Sequence, residues 1–263
     1  MYSKPQKLAT EFFGTFVVVL ACVGAVCGNQ FVLGDHRVVL GFHQALNGSA
    51  AAGAVGFGPF GVALAYGVAF AVMTAAVGRI SGGHFNPAIS VGSWAVQRLS
   101  SFDAVSYCVV QLGGATLAAY LLGFVIPQPI WRAAALGTPD LASGVTRGPA
   151  MLVEGLGTLV VAFAVYVSTY AQKRGGSMLG AIASGTAVTA ATYFAEPFTG
   201  GSLNPARAFG PALVSAHWTD QGVYWIGPLA GGALAAWTCS LLFTRAQQCE
   251  AQSQTTTPPA YNH

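Results

Sequence analysis

Three short motifs occur twice along this 263-residue chain, in the same order, and that duplication limits the possible architectures more than any other feature. Glu11-Phe12-Phe13-Gly14-Thr15 returns as Glu154-Gly155-Leu156-Gly157-Thr158. Gly82-Gly83-His84-Phe85-Asn86-Pro87-Ala88 returns as Gly200-Gly201-Ser202-Leu203-Asn204-Pro205-Ala206. Gln111-Leu112-Gly113-Gly114, with the Ala-rich run behind it, is echoed by Pro228-Leu229-Ala230-Gly231-Gly232. The offsets are 143 residues from Glu11 to Glu154, 118 from Asn86 to Asn204 and 117 from Gly114 to Gly231. The halves therefore align without further gaps once extra residues between Gly28 and Pro59 are set aside.

Each half also holds three apolar stretches long enough to cross a bilayer, which takes about 20 residues of helix. They run from Leu8 to Cys27, Phe60 to Gly78, Val105 to Ile126, Met151 to Ala171, Met178 to Ala195 and Val223 to Phe243. Composition agrees: 7% of residues are Asp, Glu, Lys or Arg, where a soluble protein carries roughly 25%. That leaves too little charge to cover a surface in water, and the 11 basic residues form no cluster that would track phosphates. A soluble enzyme, a disordered tail protein and a nucleic-acid binder are excluded as leading readings. Lys4, Lys7 and the run ending at Cys22 resemble a cleaved signal, but Glu11 inside that run argues against one.

An odd number of crossings per half turns the second half upside down. The expected fold is an all-α membrane protein, one domain over 1–263, with inverted repeats at about 8–126 and 151–243. A long outer loop is expected at 28–59 and a disordered tail at 245–263. Basic residues favour the cytoplasmic side of short loops. With both termini inside, Lys4, Lys7, Arg79, Arg98, Lys173, Arg174 and Arg245 lie there, and Arg37, Arg132 and Arg147 lie outside. Arg207 is left over.

Inverted repeats place the functional site near the bilayer midplane, between the halves. Each Asn-Pro-Ala follows a glycine pair and precedes an apolar stretch, Ile89 to Val96 or Phe209 to Ala216, too short to cross. Asn caps helices well, and Pro suits the first helical position, where its missing N–H costs nothing. Asn86 with Pro87 and Ala88, and Asn204 with Pro205 and Ala206, are thus expected to open two re-entrant half-helices. Non-helical backbone at this depth survives only when buried in protein or lining an aqueous cavity. The carbonyls of Gly82, Gly83, His84, Gly200 and Ser202 are accordingly expected to face a pore. Both positive helix ends point inward, so a permeating water accepts from the two Asn side chains while cations are repelled. The alternative, two capped turns that merely pack together, leaves the inverted duplication beside an arginine unexplained.

Arg207 stands about 4.5 Å beyond Asn204 along its half-helix. An ionised group at that depth is costly and is by default functional. Its counterpart in the first half is Ile89, so the duplicate is chemically asymmetric and the selectivity filter belongs to the outer half. Glu11 and Glu154 are expected to accept backbone N–H groups of the irregular segments; a proton relay would need titratable neighbours these spans lack. Four of the five cysteines, Cys22, Cys27, Cys108 and Cys239, fall in spans and read as packing thiols. His36 and His43 in the outer loop lack the carboxylate spacing of a metal site, and no cofactor is expected. Glu196 either draws cations to the outer mouth or sits in a surface turn.

With these residues in place, the chain resembles the aquaporin family of major intrinsic proteins from about Leu8 to Phe243. The paired Asn-Pro-Ala motifs, the second continuing into Arg207, and the duplicated Glu-x-x-Gly-Thr carry the resemblance. It implies six tilted helices, two half-helices, one pore per subunit, a homotetramer, and passage of water and small uncharged solutes with no enzymatic activity. A plasma-membrane location is the expectation. Carried over by position, the filter comprises Tyr66, Thr192, Gly201 and Arg207. Water-strict members usually have His where this chain has Thr192, and Gly201 offers no side chain, so a wider, less donor-rich ring is expected. Glycerol-conducting members typically carry Asp where this chain has Ala208. The segment from Gly200 to Ala212 looks like the broad-specificity water and ammonia type of plant vacuoles, although those usually have His in place of Tyr66. Water is the expected main permeant, with ammonia, hydrogen peroxide or urea beside it; the alternative is a facilitator mainly for a small neutral solute, whether ammonia, hydrogen peroxide, urea or glycerol, with water secondary.

Overall fold

A computed structural model describes residues 2–34, 57–170 and 178–255 of the chain. These residues are helical with connecting turns. The helices are α1 (Lys4–Gly34), α2 (Gly58–Ser81), α3 (Pro87–Ala95), α4 (Ser101–Val125), α5 (Gln128–Ala133), α6 (Arg147–Tyr170), α7 (Met178–Thr199), α8 (Pro205–Ser215) and α9 (Val223–Thr255). Six of them, α1, α2, α4, α6, α7 and α9, are long and apolar enough to cross a membrane. Large apolar side chains such as Val68, Val72, Phe124, Leu156, Ile182 and Trp237 are exposed on their outer faces, which suits hydrocarbon rather than water as the surrounding solvent.

Packing repeats as the sequence does. α1 packs on α2 and α4, and α6 packs on α7 and α9 in the same way. The two half-helices exchange partners across the halves: α3 lies on α9, and α8 lies on α4. The halves meet where α2 crosses α7, at Gly67 and Gly185, themselves 118 residues apart. A Cβ on either glycine would run into the backbone carbonyl of the other. Small residues let membrane helices approach this closely, and van der Waals contact then replaces the missing hydrophobic drive.

Some boundaries differ from the sequence expectation. α1 continues to Gly34, so the first helix takes in the start of the long outer loop; residues 35–56, with His36 and His43, lie outside the described residues. α9 continues to Thr255, into the segment expected to be disordered. Arg245, Ala246, Gln247 and Gln248, followed by Glu250 and Ala251, are good helix formers that prolong the last span. The link between the halves also has structure of its own. After α5, a tight turn at Ala135–Gly137 holds three successive residues at positive φ, 44°, 51° and 69°.

Candidate pore and selectivity site

The two Asn-Pro-Ala segments build matching caps. Asn86 and Asn204 both have φ −155°, and their Oδ1 atoms accept from Ala88 N and Ala206 N, each at 2.9 Å. Their Nδ2 groups reach across the midplane. Asn86 donates to the Leu203 carbonyl at 2.9 Å, and Asn204 donates to the Phe85 carbonyl at 3.0 Å. A carboxamide has two N–H donors, so each Asn retains one for a permeant after bonding the other half. The helix N-termini are thus locked nose to nose, with two fixed positive dipole ends at one place.

The irregular segments before the caps are held by the buried acids. Glu11 accepts from His84 N at 3.0 Å, Phe85 N at 2.7 Å, Ser81 Oγ at 2.6 Å and Gln111 Nε2 at 2.8 Å. Glu154 accepts from Ser202 N at 3.0 Å, Leu203 N at 2.6 Å and Thr199 Oγ1 at 2.7 Å. Gly14 and Gly157, the glycines of the Glu-x-x-Gly-Thr motifs, leave the room that the Phe85 ring and the Leu203 side chain fill. Backbone amides bound in this way turn the carbonyls the other way. Among the described residues nothing donates to the carbonyls of Gly82, Gly83, His84, Gly200 or Gly201. The Ser202 carbonyl accepts from the Tyr66 hydroxyl at 3.3 Å.

Of the expected filter residues, Gly201 touches Thr192, and Tyr66 bonds the carbonyl of Ser202, the residue after Gly201. Gly201, at φ 55°, lies against Thr192, and a Cβ there would sit 2.7 Å from the Thr192 carbonyl. Arg207 is 2% exposed and gives Nη1 to the Gly137 carbonyl at 2.7 Å. Arg207 Nε and Thr192 Oγ1 are buried without a hydrogen-bond partner. The ring of His84 bonds Ser90 Oγ at 3.0 Å. It lines a cavity of about 420 Å³ with Lys7, Ser93, Arg98, Tyr107 and Thr169.

Several contributors escaped the sequence reading. Gly137 belongs to the link between the halves, outside the repeat, and no local pattern marks its carbonyl as the acceptor for Arg207. Others were accessible through the repeat register. Tyr107 Oη donates to the Ser81 carbonyl at 2.9 Å, and Tyr224 Oη donates to the Thr199 carbonyl at 3.0 Å. Those tyrosines are 117 residues apart and their acceptors 118.

Residues 2–239 match the profile of the major intrinsic protein family. The chain belongs to that family. Similar proteins include Aquaporin TIP4-4 of Zea mays, 38% identical over 241 residues, 90% of this chain and 86% of the relative. Aquaporin-1 of Homo sapiens is 32% identical over 232 residues, 88% of this chain and 79% of the relative. In fold the chain resembles the aquaglyceroporin of Plasmodium falciparum, with TM-score 0.69 at 17% identity over 89% of this chain and 95% of that one. As a major intrinsic protein the chain is an integral membrane protein and a passive channel. Its relatives are aquaporin channels rather than enzymes.

Proposed function

We propose that this channel conducts water in single file past the Asn86–Asn204 pair, excludes protons and ions, and also passes small neutral solutes. The observation that carries this reading is the reciprocal pair of bonds, Asn86 to the Leu203 carbonyl and Asn204 to the Phe85 carbonyl, which hold two half-helix N-termini facing each other. A chain of waters crossing that point must accept from both caps, which breaks proton relay, and a cation meets two positive ends before reaching Arg207. Tyr66, Thr192, Gly201 and Arg207 form the filter. Its opening for solutes follows from Gly201, which leaves one wall as backbone, and from Thr192, a short side chain with an unengaged hydroxyl.

Shrinkage of reconstituted liposomes under osmotic shock, followed by light scattering, tests the reading. Water flux well above protein-free vesicles, with a low activation energy, is expected. Flux equal to empty vesicles refutes the channel. Urea and ammonia gradients separate the two permeant classes, and a solute rate that exceeds water favours the solute facilitator. Thr192→His should narrow the ring and add a donor, lowering solute flux roughly tenfold while water falls less. An unchanged solute-to-water ratio in Thr192→His overturns the filter assignment.

The same reading has both termini cytoplasmic, so the cavity at Lys7 and Arg98 is the inner mouth, and has four subunits with one pore each. Crosslinking of the purified protein to a four-chain species tests the assembly. The cell-surface membrane is the expected location, and fractionation of tagged protein between surface and vacuolar membranes decides it.

A further inference from the structure

A threonine inside a membrane helix has an inexpensive partner, the carbonyl four residues back, and in lipid an unpaired hydroxyl costs more than this bond does. Thr10, Thr15, Thr116, Thr158, Thr169, Thr186, Thr189, Thr199 and Thr238 all use it. Among helical threonines whose side chains are described, Thr74 and Thr192 do not. Both Oγ1 atoms are buried and unpartnered. The two residues are 118 apart, the offset that relates Asn86 to Asn204. Each also lies seven residues beyond the glycine at which α2 and α7 cross, Gly67 or Gly185. At 1.5 Å per residue they stand about 10 Å from the crossing, in opposite directions along the two helices.

The same offset pairs the rest of the outer ring with inner residues: Gly201 with Gly83, Arg207 with Ile89 and Tyr66 with Ser184. Ile89 is fully buried, and its carbonyl is held by Tyr166 Oη at 2.7 Å. The Ser184 hydroxyl is spent on the Gly180 carbonyl at 2.9 Å. The inner ring therefore has no charge and one unengaged polar side-chain atom, Thr74 Oγ1. The outer set carries guanidinium donors, whereas its inner counterparts carry one neutral hydroxyl oxygen and an apolar side chain, Ile89.

We propose that Thr74 forms a second solute-contact station on the inner half of the pore, where its hydroxyl oxygen accepts from an N–H of a small neutral solute such as an amide or ammonia. This rests on the channel reading above. A urea molecule would present its carbonyl to Arg207 and an amino group to Thr74 at successive stations, so the duplicated threonine makes the two halves complementary ends of one path.

The test uses the full chain in liposomes, with urea and water fluxes measured for wild type, Thr74→Val and Thr74→Ser, and thermal midpoints in detergent. Loss of one hydrogen bond to the passing solute should lower the urea-to-water ratio of Thr74→Val roughly two- to tenfold. Thr74→Ser should stay near wild type, and the midpoint of Thr74→Val should not fall, because no bond within the protein is lost. A Thr74→Val ratio equal to wild type overturns the proposal. So does a lowered midpoint in both variants with parallel loss of water flux, which would make the hydroxyl structural. Wild-type vesicles that pass water but no urea overturn it too, whereas vesicles that pass neither refute the channel itself.

Discussion

Glu154→Ala is expected to leave little folded protein at the temperature where wild type is stable. The carboxylate is the acceptor for Ser202 N and Leu203 N, both buried, in a segment that lies outside any helix. Leaving a buried amide unsatisfied costs about 1–3 kcal/mol, so the two together cost about 2–6 kcal/mol, comparable to the whole stability of a modest domain. Thr199 is less affected because its hydroxyl also reaches the Ala195 carbonyl at 3.2 Å. Glu154→Gln keeps the volume and one acceptor oxygen and should fall between the two. Glu11→Ala should be at least as severe, since Glu11 gathers four donors. Fluorescence-detected size exclusion after a temperature series reads this directly. A Glu154→Ala protein that melts with wild type would show that the irregular segment is held by something other than this carboxylate.

The second large effect is on selectivity. Arg207→Val should preserve water flux and let monovalent cations leak. A cation level with Arg207 at about 5 Å meets a repulsion of about 3 kcal/mol at an effective dielectric of 20, or roughly two orders of magnitude in rate. Cation-driven decay of a membrane potential across vesicles measures the leak. If Arg207→Val vesicles hold their potential as wild-type vesicles do, the Asn pair and helix dipoles alone carry the barrier, and Arg207 serves size selection. The substitution also strands the Gly137 carbonyl, so its thermal midpoint belongs beside the flux.

The two levels of this fold were unequally legible in the sequence. Capping chemistry marks Asn86-Pro87 and Asn204-Pro205 in the sequence, and hydropathy marks the six crossings, because both signals are local. The acids were found as misplaced charges, while their partners Ser81 and Thr199 were not, since a hydroxyl at a helix end has many uses. Yet Ser81 and Thr199, Tyr107 and Tyr224, and Thr74 and Thr192 all obey the register that the motifs define. Reading that register through every polar residue would have found them. Gly137 is different: it lies in the connection between the repeats, where the register offers no counterpart. Its role depends on a turn with three left-handed residues, two of them not glycine, which only tertiary packing stabilises.

The exchange of half-helices also bears on how the chain is made. α3 is synthesised with the first half but rests on α9, and α8 belongs to the second half but rests on α4. During translation the first three crossings are therefore complete before α9, which supplies most of the packing of α3, and before Leu203, whose carbonyl the Asn86 amide bonds. Separately expressed halves should then be individually short-lived in the membrane and should protect one another from proteolysis when produced together, each completing the other's re-entrant segment.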